Sequence, residues 1–249
     1  EMELTYEDVK AVRGRWRYWI DAANGKVIRA FNAVTHITAP TSNGSNTGIS
    51  GNYLAGEGGG ATNVTGWYEN GNASYYLYNK TRYWYVYNVA SSGYSDNNTY
   101  AYRSTSAWGT SDRAEMSAAK NYEITQAYYK NVHNRNSFNN ANAYARVNVH
   151  QGVNYVNAYW DGTDFHFGDG DGVEANSLVV LDVAGHEYTH AVTEYTANLY
   201  YSSESGALNE SFSDIFGSCI EFYGQPDGRS TYPNITAGRT EFVYTHPMV

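Results

Sequence analysis

Cysteine is almost absent from this 249-residue chain: Cys219 stands alone, which excludes an intrachain disulfide. It lies in the apolar run DIFGSCIEFY and reads as a small buried core residue. Positive charge is scarce too. Sixteen Lys and Arg against 25 Asp and Glu leave a net charge of −9, the wrong sign for a partner made of phosphates, so nucleic acid is excluded. No apolar run approaches the roughly 18 residues of a membrane helix. The opening EMELTYEDVK lacks the basic start and apolar stretch of a signal peptide, and it does not read as a natural start. The expectation is a chain that begins inside a longer precursor.

What fills the space is polar without being charged: 26 Tyr, 24 Gly and many Asn, with only 16% charged residues. That composition reads as a solvated, turn-rich β surface. The length suits one large domain or two modest ones with a real core.

Residues 15–31 alternate around Asn24-Gly25, a dipeptide that favours the tight turn of a β-hairpin. The stretch NAVTHITAPTSNGSNTGISG has no hydrophobic period and reads as an exposed linker, a candidate processing site. From Gly51 to about Trp108 the chain is β-rich, with SYYLYNKTRYWYVYNV forming two runs around a polar turn. A helix is expected from Asp112, capped by Asp112 and Glu115 at capping-box spacing. VNYVNAYW and TDFHF around Asp161-Gly162 predict a second hairpin, closed by GDGDG. From about Leu178 the pattern turns helical.

The chemistry sits in VAGHEYTHAV. His186 and His190 are four apart, so on a helix both present ring nitrogens to one ion, and zinc suits imidazole. Glu187 stands about 100° round from His186, beside the metal, where a base must stand to take a proton from water. A histidine pair alone is often surface decoration; a third ligand decides. Glu210 in ESGALNESFSDIFG follows after room for a helix end, a loop and a second helix. Asp214, four residues on, shares its face and can hold the far nitrogen of a zinc-bound histidine. Two histidines, a third carboxylate and an orienting aspartate make a zinc site with one open position.

GHEYTHAVTEYTANL followed by SGALNESFSDIFG resembles the thermolysin family of zinc endopeptidases, in which nineteen residues separate the second histidine from the glutamate, as here. The related aminopeptidases use one fewer. The likeness extends upstream through AYYKNVHNR, NAYWDG and GDGDG, covers roughly 42–227, and makes residues 15–34 look like the end of that family's propeptide.

The resemblance implies residues 1–41 as propeptide end and linker, 42–180 as a β-rich catalytic portion, and 181–249 as zinc helices and tail. It also implies that the family's further helical lobe lies outside this chain. The tail from Gly228 aligns with nothing in the family, and His246 takes no role there.

The resemblance gives Glu187 the work of general base on zinc-activated water. It makes Tyr201 a donor to the oxyanion, and Asn157 and Ala158 an edge strand that holds substrate backbone, with Trp160 packed beneath. Asp182, Glu221 and Asp227 match calcium ligands, and Asp112 is what survives of a further calcium loop. His133, His150 and His166 read as structural, and His36 falls in the linker.

The expected fold is α+β: a twisted, mostly antiparallel β-rich region leading into two metal-carrying helices. The expected function is a secreted, extracellular, monomeric zinc endopeptidase or its proform, binding Zn2+ and Ca2+. It would act on peptide or protein substrates, cut before hydrophobic residues, and have no nucleic-acid or membrane partner. A zinc- and peptide-binding fold without turnover is the alternative. A carbohydrate-binding β module accounts for the tyrosines but not for the histidines.

Overall fold

The computed structural model describes residues 2–8, 11–20, 27–32, 40, 43–54, 60–89 and 99–224. Its first sheet is antiparallel, with β1 (Met2–Asp8), β2 (Ala11–Ile20) and β3 (Val27–Asn32) in sequence order. The hairpin expected around Asn24-Gly25 corresponds to β2 and β3, paired from Trp16↔Asn32 to Ile20↔Val27. Its turn and His36 lie outside the described residues.

A second sheet orders β10-β6-β5-β4, from β4 (Gly44–Tyr53), β5 (Gly60–Glu69), β6 (Ser74–Tyr76) and β10 (Tyr102–Arg103). The linker reading therefore fails from Gly44 onward. Those residues form a ten-residue ladder with β5, one fully buried Ile49 anchoring it to the core. The strand looks like a loop in sequence because it packs a glycine where an apolar side chain would be expected. A Cβ on Gly51 would stand 2.9 Å from Cγ of Met116.

The third sheet carries β7 (Tyr78–Asn79), β8 (Trp84–Asn88), β9 (Thr99–Tyr100), β11 (Ala145–Val149), β12 (Ala158–Trp160) and β13 (Phe165–Phe167). Its order is β12-β13-β11-β8-β7, with β9 on β8. Both ladders of β11 are parallel, to β8 and to β13, and the rest are antiparallel. A parallel neighbour needs a long crossover, and α1 (Arg113–His133) supplies the one between β8 and β11.

Helix α1 begins where expected, but without a capping box. The Asp112 carboxylate accepts from the Gly109 N–H and pairs with Arg103, while Glu115 turns inward to His150 and Asn88. Two further helices follow, α2 (Leu181–Glu194) and α3 (Ser203–Gly224). The α+β expectation is the architecture found.

The core lies between α1, α2 and the third sheet: Met116, Ala119 and Tyr122 against Val86, Val147, Phe165 and Phe167. Many tyrosines are not surface residues at all. Tyr122 and Tyr188 are fully buried, and Tyr129 and Tyr188 bury their rings while bonding Thr189 and Ser137 through their hydroxyls. Tyr78, Tyr87 and Tyr100 form part of a second buried cluster. Cys219, read as core, is exposed on α3, on a side of the helix that the core does not cover.

Candidate metal centre

Helix α2 carries His186 and His190 one turn apart, and their Nε2 atoms face each other at 2.9 Å. Helix α3 brings Glu210 to both: Oε2 lies 3.1 Å from Nε2 of His186 and Oε1 lies 3.6 Å from Nε2 of His190. The helices approach this closely because glycine meets glycine. A Cβ on Gly185 would be 3.1 Å from Cα of Gly217, and one on Gly217 would be 2.6 Å from the Asp182 carbonyl oxygen.

Proton accounting identifies what belongs at the meeting point. The carboxylate of Asp214 lies 2.9 Å from Nδ1 of His186 and can only accept, so Nδ1 carries the proton. Asn209 donates through Nδ2 to the Leu199 carbonyl, which turns its Oδ1 to Nδ1 of His190 at 2.8 Å; Ser213 Oγ is also 3.1 Å away. With each imidazole neutral, both Nε2 atoms are then lone pairs, facing each other and a carboxylate. Three such acceptors repel unless a cation, a metal ion or a proton, lies between them.

Their separations suit zinc, since tetrahedral bonds of about 2.0–2.1 Å place ligand atoms roughly 3.3 Å apart. The donor set fits that ion. Without it, carboxylates set the protonation of the pair. Burial disfavours charge on His186, but Glu210, Glu187 and Asp214 outweigh it and raise its pKa, whereas burial and the neighbouring His186 lower that of His190.

Glu187 is only 6% exposed, and its carboxylate lies with the two histidines in one tight group. Burial pushes its pKa up from 4.5 to about 7, against the pull of His186 and of a hydrogen bond from the Trp160 N–H at 2.9 Å. Tyr201 stands at the rim, 66% exposed, its ring 6.0 Å from that of His190.

Strand β12 ends its sheet. The Asn157 carbonyl is taken by the Gly168 N–H, so the alternation of an antiparallel strand turns the N–H and C=O of Ala158 to the open edge. Asn157 offers its side-chain amide, now 3.3 Å from the Tyr155 hydroxyl. Trp160 packs on Phe165 and Phe138, as expected, and also reaches α2.

The calcium candidates are less gathered. Asp182 lies in the first turn of α2, where the helix dipole favours a carboxylate in any case, and Glu221 lies one turn past Gly217 on α3. Neither belongs to a group of three close ligand-bearing side chains among the described residues. Asp227, His246 and the tail lie outside those residues. Asp112 has both oxygens engaged, by Arg103 and by Gly109, which removes it as a free ligand.

Sequence reasoning missed Asn209 and Ser213, which hold His190. They are four apart and share a face of α3, a signal that was legible. It also missed Asp161, Asp164 and His166, which gather at the hairpin turn. There Asp161 Oδ1 accepts two backbone N–H groups at 2.7 Å, and Asp164 pairs with Arg146. His150 sits between Asp169 and Glu115, a structural role, and His133 packs on Tyr128, Tyr129 and Phe216.

A family model for the thermolysin metallopeptidase catalytic domain matches residues 51–194. The chain belongs to the thermolysin metallopeptidase family. A second model, for that family's alpha-helical domain, matches residues 197–242, which carries family likeness into the tail left unaligned above. The boundary falls between α2 and α3, so the two histidines and Glu210 come from opposite sides of it.

Among relatives, a bacillolysin of Bacillus caldolyticus is 36% identical over 248 residues, covering 95% of this chain and 45% of that protein. A thermolysin of Alicyclobacillus acidocaldarius subsp. acidocaldarius is 37% identical over 232 residues, 89% of this chain and 41% of that protein. The chain thus spans less than half the length of these thermolysin-family relatives. In fold it resembles the precursor of protealysin, a metalloproteinase from Serratia proteamaculans: TM-score 0.52 and 34% identity over 56% of this chain and 43% of that one.

Proposed function

We propose that this chain carries the working centre of a zinc-dependent endopeptidase. The observation that supports it is the convergence of the two Nε2 atoms and the Glu210 carboxylate beside a buried Glu187. Zinc held by His186, His190 and Glu210 would supply Lewis acidity, polarising the scissile carbonyl and making water a better nucleophile at neutral pH.

The chain's own residues do the rest. The open edge at Ala158 receives an extended peptide by strand addition, which suits a protease because every peptide offers the same backbone groups. The Asn157 amide grips the same backbone. Glu187 keeps one oxygen on the Trp160 N–H; the other takes the proton of the attacking water and then passes it to the leaving nitrogen. A pKa near 7 lets it both accept and release that proton. Tyr201 donates a hydrogen bond to the oxyanion as it forms. Asp214, Asn209 and Ser213 hold the histidine rings in register.

The same proposal extends to finer features that family likeness supports: a secreted, monomeric enzyme, cutting before hydrophobic residues, with residues 1–41 the end of a propeptide and calcium held by Asp182 and Glu221 with Asp227.

The deciding experiment is hydrolysis of a casein-derived peptide by the zinc-loaded 249-residue chain, with Glu187→Gln beside it. Cleavage is expected in the first, and loss of at least about a hundredfold in the second. Zinc bound with no cleavage in either would mean a peptide-binding fold without turnover.

A further inference from the structure

Trp160 touches α2 at two points. Its backbone N–H donates to Oε2 of Glu187 over 2.9 Å, and its indole N–H donates to Oε2 of Glu194 over 2.6 Å. Glu187 and Glu194 are seven residues apart on one helix, which puts both on the same face with about 10 Å of rise between them. One tryptophan spans that interval. Its ring is wedged against Phe165 and Phe138, with centroids at 4.4 and 5.3 Å.

Glu194 is the last residue of α2, and that position asks for a reason. The carbonyl end of a helix repels a carboxylate, and no basic residue in the last turn offsets it. Glu194 is exposed and lies outside the group of zinc-facing side chains. Its described hydrogen-bond partner is the Trp160 indole.

Trp160, in turn, ends a three-residue edge strand, so the ladder to β13 holds it from one side. Its amide points to the open edge, where the substrate strand would add and where Glu187 waits. The end of the strand and the base are therefore one mechanical unit, and the indole is its handle.

We infer that Glu194 is a positioning residue for Glu187: by holding the Trp160 indole it fixes the Trp160 amide, and through that amide it fixes where the free oxygen of the base points. It touches neither substrate nor metal. This rests on the peptidase reading above for its functional consequence, but the coupling itself is a property of the fold. Loss of the anchor shifts the base by tenths of an ångström, which chemistry feels more than binding does, since Ala158 still offers its backbone.

The test is the full chain with Glu194→Ala, Glu194→Gln, Trp160→Phe and the Glu194→Ala/Trp160→Phe double variant. In Glu194→Ala, kcat is expected to fall about tenfold with KM within about twofold. Glu194→Gln, whose amide oxygen still accepts, should recover most of it. The double variant should be no worse than either single one, because both remove one interaction.

Hydrogen exchange at the Trp160 backbone amide gives a readout that needs no turnover: protection should drop in Glu194→Ala and return in Glu194→Gln. Unchanged protection in Glu194→Ala would overturn the inference. So would equal losses of kcat in Glu194→Ala and Glu194→Gln, which would point to the charge and not to the hydrogen bond. A wild-type chain that cleaves nothing would sink the peptidase reading while the exchange result still judged the anchor.

Discussion

Burial gives Glu187 the proton affinity of a base that works near neutrality, and the same burial opposes folding. A carboxyl whose folded pKa is raised from 4.5 to about 7 holds its proton longer in the native state than in the unfolded chain. Below pH 4.5 both states are protonated and nothing is lost. Between 4.5 and 7 the unfolded chain releases its proton first, so the native state loses ground as pH rises, and above 7 the deficit is complete. Its size is about 3 kcal/mol at most. Glu187→Gln should therefore be inactive yet more stable. For chelated protein, its thermal midpoint should exceed that of the parent at pH 8 and match it at pH 4. A midpoint equal to the parent's at both pH values would mean Glu187 is not desolvated. The zinc-facing residues were legible in sequence because their chemistry is local: two histidines and Glu187 within about one turn of one helix, and Glu210 four residues before Asp214 on the next. The supports of His190 and the double reach of Trp160 were harder to see, because they depend on which helix faces meet.

At the scale of the element, the centre depends on how closely α2 and α3 approach. Gly185 and Gly217 lie at the crossing, and a methyl group on Gly217 would press on the backbone carbonyl of Asp182, which cannot swing aside as a side chain can. Gly217→Ala should push the helices apart, costing about 1–3 kcal/mol in stability. It should also weaken zinc by at least about tenfold, because Glu210 rides on α3 and the histidines on α2. Zinc titration against a competing chelator measures this; affinity equal to the parent's would show that the close crossing is not what sets the ligand distances. Sequence periodicity located both helices and the strand pair around Asp161-Gly162, since each is set by residues a few positions apart. It misread β4, whose turn-like Gly, Ser and Asn are those of an edge strand that shows one face to solvent. It also misplaced Cys219, because apolar neighbours in sequence do not say which side of a helix is covered.

At the scale of the molecule, a metal held by His186, His190 and Glu210 would join parts held unequally. Helix α1 is clamped between the second and third sheets by a continuous buried core, with Met116, Tyr122 and Ala119 almost fully enclosed. Among the described residues, helix α3 is held on one side. It meets α2 at the glycine crossing and α1 through Phe216 on Tyr129 and Tyr223 on Tyr128, while Ile215, Phe222 and Leu208 remain exposed. Zinc spanning His186, His190 and Glu210 would therefore act as a cross-link for the least secured helix. A ligand at a thousand times its dissociation constant adds about 4 kcal/mol to a folded state that alone can bind it. Chelation should thus lower the thermal midpoint of the parent chain and leave that of His186→Ala unmoved. Hydrogen exchange should then be unequal: amides of α3 and the second half of α2 lose protection without metal, while α1, β8 and β11 keep theirs. Uniform loss across all five elements would instead mean that the sheets depend on the metal as much as the helix pair does. That pattern was out of reach of the sequence, because it follows from which face of α3 the described residues cover, a property of the assembled chain.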